Sequence, residues 1–167
     1  MQWPESIEHS VALVAAWIAF LQLFKRIVGT GYCYAFLSLT GTILHELCHF
    51  IMGLALAAKP VGLSLWPKKI GQRWVLGSVD FQGLGLWNAA PVAFAPLLLW
   101  GGSAWLIGSP MAAAYAQENF GQWIAMGYLC ACCALAGRPS RVDIQAGWKS
   151  LAAYSCFALL AYFYLRG

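Results

Sequence analysis

The sequence predicts a membrane all-α fold, a polytopic bundle of four to five transmembrane helices with one β-hairpin after the second of them. Three observations carry this expectation. The chain is 61% hydrophobic and only 10% charged, whereas a soluble domain is roughly half apolar and a quarter charged. Four or five apolar runs approach the roughly 20 residues that a bilayer-crossing helix needs. Between the second and third runs the apolar residues alternate with period two, the mark of strands. At 167 residues there is room for one core, so residues 1–167 read as a single domain.

The first run, residues 11–24, is short, and extending it to residues 6–30 lets Lys25 and Arg26 snorkel to an interface. The preceding "MQWPESIEHS" is acidic where a secretory signal is basic, so a retained membrane anchor is expected. The second run covers residues 32–58, the third 86–107, the fourth 121–136, and the fifth 140–165. In the hairpin, Val61, Leu63 and Leu65 alternate with Gly62, Ser64 and Trp66; after a turn with Lys68, Lys69 and Gly71, Val75, Val79 and Phe81 continue the pattern.

The net charge of +4 lies in short connections and forms no basic stripe, so nucleic acid is not an expected partner and the lipid bilayer is. Lys59, Lys68, Lys69 and Arg73 of the hairpin share a side with Arg138 and Arg141, which favours a cytoplasmic placement for that side; Lys25, Arg26 and Arg166 fall on the other. The expected location is a prokaryotic cytoplasmic (inner) membrane, crossed several times. All six cysteines lie in apolar runs. There they behave as small hydrophobes rather than as a disulfide framework, and "CACC" at 130–133 reads as a packed helix. Trp66, Trp74, Trp148 and Tyr154 are expected among the interfacial anchors.

The second run contains "TILHELCHF", where His45, Glu46 and His49 interrupt otherwise apolar sequence. A charge at the centre of a spanning helix costs about 2.5–3.5 kcal/mol, so such residues face an interior and mark function. His45 and His49 are four apart and share one helix face, so both can ligate one ion, with Glu46 offset to reach a water on it. This is H-E-x-x-H, in which zinc lowers the pKa of a water and the glutamate takes its proton. The ordinary alternative is a trio that hydrogen-bonds across helices.

Catalytic zinc commonly has three protein ligands. Candidates for the third are Asp80, Glu118, Asp143, and Glu5, Glu8 and His9 near the start. Two crossings after the hairpin bring Asp143 back to the motif's side of the membrane, and Glu118 falls on the opposite side. Asp80 is on the right side but on the strand face opposite Val79 and Phe81. Ser140 and Asp143 also read as a helix start, with Ser140 as N-cap.

With its hairpin, its Ala-Pro-rich third run ("NAAPVAFAPLL") and its late aspartate, the sequence resembles the site-2 protease family of intramembrane zinc metalloproteases over about residues 40–143. The resemblance implies zinc held by His45, His49 and Asp143, with Glu46 as catalytic base. The substrate is then a transmembrane or membrane-adjacent segment of another protein. It also suggests Asn88 as a substrate-binding residue, against the plainer reading of a capping asparagine. The chain departs from the family in having no glycine after Asp143 and no room for a PDZ domain. The hairpin edge offers a place to hold an extended peptide by strand addition. Two rivals stand beside the enzyme: a non-catalytic metal-binding membrane subunit that assembles with a partner protein, and a metal transporter, for which the third to fifth runs offer few polar groups.

Overall fold

The computed structural model describes residues 4–29, 31–71 and 73–166, with the side chains of Ile70, Arg73 and Trp74 outside that description. Trp74 as an interfacial anchor and Thr30 as the end of the first run therefore lie outside the described parts. The chain is mostly helical. Its elements are α1 (Glu5–Val28), α2 (Tyr32–Leu37), α3 (Leu39–Ala55), β1 (Pro60–Ser64), β2 (Lys68–Ile70), β3 (Arg73–Val75), β4 (Ser78–Phe81), α4 (Ala89–Ala93), α5 (Leu98–Leu106), α6 (Ala112–Ala116), α7 (Phe120–Ala136) and α8 (Arg141–Arg166). A 3₁₀ turn at Ala95–Leu97 precedes α5, and a π turn at Ile107–Met111 joins α5 to α6.

Helix α1 has Glu5 and Glu8 in its first turn and Lys25 and Arg26 in its last, which suits the helix dipole at both ends. Ser10, Val14 and Leu21 lie on one face and are buried, and α1 packs chiefly on α7. The core joins Val14 and Leu21 to Met111, Cys130, Ala131 and Cys132. All six cysteines are free thiols, and Cys130, Cys132 and Cys133 are core residues. Tight packing needs small residues here: a Cβ on Gly41 of α3 would lie 3.0 Å from the Cys132 carbonyl oxygen.

Among the described residues two helical stretches are long and apolar enough to cross a membrane, α1 and residues Ala95–Ala116; α7 and α8 pass that test only as a pair, bent by 58°. The third run thus begins later and extends further than residues 86–107. The reason is proline: Pro96 separates α4 from the longer helical stretch after it, whereas Pro110 is absorbed by widening the helix into the π turn. The second run is broken at Ser38, whose hydroxyl donates to the Tyr34 carbonyl at 2.9 Å. That leaves α3 with 17 residues, about 25 Å of helix at 1.5 Å per residue. Outward faces are apolar, with Leu23, Trp105, Phe157 and Phe163 exposed.

The expected hairpin forms as two antiparallel ladders in series. β1 pairs with β4, Leu63 opposite Val79 and Ser64 opposite Ser78; β2 pairs with β3, Lys68 opposite Val75. Leu76 and Gly77 lie between β3 and β4, outside either ladder. Val61 and Leu63 are on the exposed face of β1, while Phe81 turns inward against Gly53 of α3.

Helix α8 packs mainly on α4. Asp143, Gly147, Ser150 and Tyr154 are spaced four, three and four apart, which makes them one stripe. A Cβ on Gly147 would lie 2.8 Å from Ala93 Cβ and 3.0 Å from the Phe94 ring. Ser150, 1% exposed, accepts the Ala90 N–H at 3.1 Å, and the Tyr154 hydroxyl donates to the Trp87 carbonyl. Gly147→Leu should push α8 off α4 and destabilise the protein by about 1–3 kcal/mol relative to Gly102→Leu. Gly102 is the control because open space surrounds a Cβ there. Equal melting temperatures for the two variants in detergent would show that α8 is not seated on α4.

Candidate metal centre

Helix α3 presents Gly41, Glu46, His49 and Gly53 as its buried residues. Gly41 lets the helix approach α7, and Gly53 lets Phe81 of β4 lie against it. The motif is thereby clamped at both ends, one helical turn beyond each histidine.

The two histidine rings are held alike. His45 Nδ1 is 2.6 Å from the Ala136 carbonyl oxygen at the end of α7, and His49 Nδ1 is 2.8 Å from the Val92 carbonyl oxygen in α4. A carbonyl only accepts, so each Nδ1 carries a proton, and in the neutral ring Nε2 then presents a lone pair. The two Nε2 atoms are 3.1 Å apart. Asp143 completes the group, with Oδ2 3.4 Å from His45 Nε2 and Oδ1 3.3 Å from His49 Nε2. The three side chains are 14%, 7% and 15% exposed.

These separations suit a small tetrahedral ion. Donors at about 2.0–2.1 Å from zinc stand about 3.3–3.4 Å from one another, close to the spacings found. The second contacts fit as well, because a metal-ligating histidine characteristically donates its other N–H to a carbonyl or carboxylate. Two imidazole nitrogens and a carboxylate that converge in this way could hold a cation. Among the described residues this is the one group of three such donors that converge.

The other candidates do not join this group of donors. Asp80 is exposed on β4, paired across from Gly62, and lines the cavity beside the site without converging on the histidines. His9 stacks on Tyr115 and lies near Glu5, toward the start of α7, whereas Ala136 is at its end. Glu118 occupies the left-handed turn between α6 and α7.

Asp143 has a second duty, the one expected of a helix start. Its Oδ2 accepts the Ser140 N–H at 2.6 Å, and its own N–H donates to Ser140 Oγ at 3.2 Å, a reciprocal cap at the start of α8. One carboxylate therefore fixes the helix end and faces both imidazoles.

Glu46 is buried and faces a cavity of about 580 Å³ that also receives His45 and Asp143, with Tyr34, Thr42 and Arg138 in its lining. Its carboxylate makes no hydrogen bond with the described residues. The opposite wall is backbone: a Cβ on Gly77 would lie 2.6 Å from Glu46 Cγ and 3.0 Å from Oε1. A side chain at residue 77 would force Glu46 to shift from its place beneath the Leu76–Gly77 connection. Gly77, Val92 and Ala136 carry no side-chain chemistry, and nothing in H-E-x-x-H announces them.

Asn88, expected either to meet substrate or to cap, is engaged by the backbone around it. Its Oδ1 accepts the Gly85 N–H at 2.7 Å, and its Nδ2 donates to Gly83 O at 2.9 Å and Leu56 O at 3.3 Å. Both ends of the amide are engaged in tying the loop after β4 to the end of α3, and Asn88 does not line the cavity.

Comparison with protein-family models, curated proteins and solved structures finds no match. The chemistry of the site is therefore read from its own geometry. Ser140→Ala should lower stability by about 0.5–2 kcal/mol through loss of the cap, measured by thermal unfolding in detergent. An unchanged melting temperature would show that the reciprocal contact contributes nothing.

Proposed function

We infer that the protein is a zinc-dependent membrane endopeptidase, with His45, His49 and Asp143 as ligands and Glu46 as catalytic base. The observation that carries this reading is the convergence of His45 Nε2, His49 Nε2 and the Asp143 carboxylate at 3.1–3.4 Å, each ring fixed through its Nδ1. A zinc ion held there supplies a Lewis acid that lowers the pKa of a water and polarises a carbonyl. Glu46, next in sequence to His45, reaches into the same cavity without a hydrogen-bond partner among the described residues. It accepts the proton of the attacking water and returns it to the leaving amine. The wall at residues 75–80 leaves an extended peptide room beside Glu46.

The substrate class in this reading is a transmembrane or membrane-adjacent segment of another protein. Its support is the apolar exterior and the two helices able to cross a bilayer. Placement is multi-pass, with α3 shielded by its neighbours rather than crossing alone, in a prokaryotic cytoplasmic membrane. The resemblance to the site-2 protease family is part of this proposal, and a PDZ-free member is the form it takes.

Two measurements test it. Elemental analysis of detergent-purified protein should give about one zinc per chain, lost in His45→Ala and in Asp143→Ala; a folded, metal-supplied protein without zinc would remove the reading. Glu46→Gln should retain the metal and lower peptide hydrolysis by at least the 10²–10⁴-fold that general-base catalysis contributes. Full cellular function in that variant would instead favour a non-catalytic metal-binding subunit.

A further inference from the structure

In an α-helix each carbonyl accepts the N–H four residues on, and the last four carbonyls are left to find that donor, a side chain or water beyond the helix. The two carbonyls that hold the histidines lie in the last turns of α4 and α7, neither receives an N–H from four residues on, and a proline follows each within four residues. The donor that would return to Val92 is residue 96, which is Pro96 and has no N–H. The donors that would return to Ala136 are residues 139 and 140. Residue 139 is Pro139, and the Ser140 N–H goes to Asp143 Oδ2 at 2.6 Å. Each freed carbonyl then accepts an imidazole N–H, at 2.8 Å for Val92 and 2.6 Å for Ala136. Val92 is 2% exposed, so water is not a ready substitute partner.

We propose that Pro96 and Pro139 are positioning residues of the metal centre. By deleting the backbone donors that would compete for Val92 O and Ala136 O, they commit His49 and His45 to the Nδ1–H tautomer and turn both Nε2 lone pairs toward Asp143. This deepens the zinc reading and rests on it for the word ligand. Proline does not do this automatically. Pro110 removes a donor in the same way, yet there the helix widens into a π turn and no described side chain takes the Leu106 carbonyl. At residues 96 and 139 the prolines also end helices. Ring stiffness and loss of the N–H are therefore two separable contributions, and only the second sets the tautomers.

The test uses the full chain in detergent, with its three histidines labelled with ¹⁵N in the ring. Ring-nitrogen shifts are read after chelator treatment, and zinc affinity is measured by titration with a competing chelator. In the unaltered protein Nδ1 should carry the proton in both His45 and His49. Pro96→Ala restores a donor to Val92, so His49 alone should lose its fixed tautomer; Pro139→Ala should do the same to His45 alone. In each variant zinc affinity should fall about 10- to 100-fold, the usual effect of losing a ligand's supporting contact. A third protein carries the α-hydroxy counterpart of alanine at residue 96, an ester without N–H and without the proline ring. It should recover the His49 tautomer and the affinity.

Alanine variants with unchanged tautomers would overturn the proposal. So would an ester variant that behaves like Pro96→Ala, because stiffness would then be what matters; its recovery supports the proposal even if the alanine variants disturb both rings. A chain that binds no zinc fails in the titration and sinks the metalloenzyme reading. The nitrogen shifts of that same chain still decide whether the prolines set the tautomers.

Discussion

The structure depends on giving three polar side chains a reason to stay inside an apolar bundle. Each imidazole N–H needs an acceptor that water cannot supply there, and a buried donor without one costs about 1–3 kcal/mol. The acceptors are the Val92 and Ala136 carbonyls, and they come from two different helices, α4 and α7. Much of the architecture brings those helices to one face of α3. Gly41 admits α7, Gly147 and Ser150 seat α8 on α4, and the 58° bend after α7 turns Asp143 back toward the motif. The small residues permit close approach, and the polar contacts then fix the register of the helices that have approached.

Legible in the sequence is whatever carries an energetic penalty. His45, Glu46 and His49 stand out because charged groups are costly in apolar helices, and their spacing gives the shared face directly. Counting crossings reaches Asp143, and the structure does bring it beside both imidazoles; the cap with Ser140 that the local sequence suggests is present as well. Alternation predicts the hairpin but not its division into two ladders, because Val75, Val79 and Phe81 keep one parity across Leu76 and Gly77, which leave both ladders.

The illegible part lies in the backbone. Val92 and Ala136 act through carbonyls, which every residue has, so no residue type marks them. Gly77 is one glycine among 17, and only the packing of Glu46 beneath it shows why that position has no side chain. Asn88 is ambiguous in the sequence for a related reason: a polar residue at the start of an apolar run is equally suited to a ligand and to a loop, and the neighbouring Gly83 and Gly85 backbone groups claim it. The break at Ser38 and the late start of the long apolar helix at Ala95 come from a hydroxyl and a proline, whose local effects average out in any count of apolar residues.

If Asp143 ligates zinc as proposed, its shared carboxylate makes filling the site and ordering α8 parts of one equilibrium. An ion that binds the native arrangement and not the unfolded chain stabilises everything its ligands hold in place, and Asp143 holds the Ser140 N–H as well as facing the histidines. Scarcity of metal would therefore register as fraying at the start of α8, in the amides of its first turn. In the proposed zinc site the junction between α7 and α8 would then report on occupancy, as a hinge whose stiffness depends on whether the centre is full.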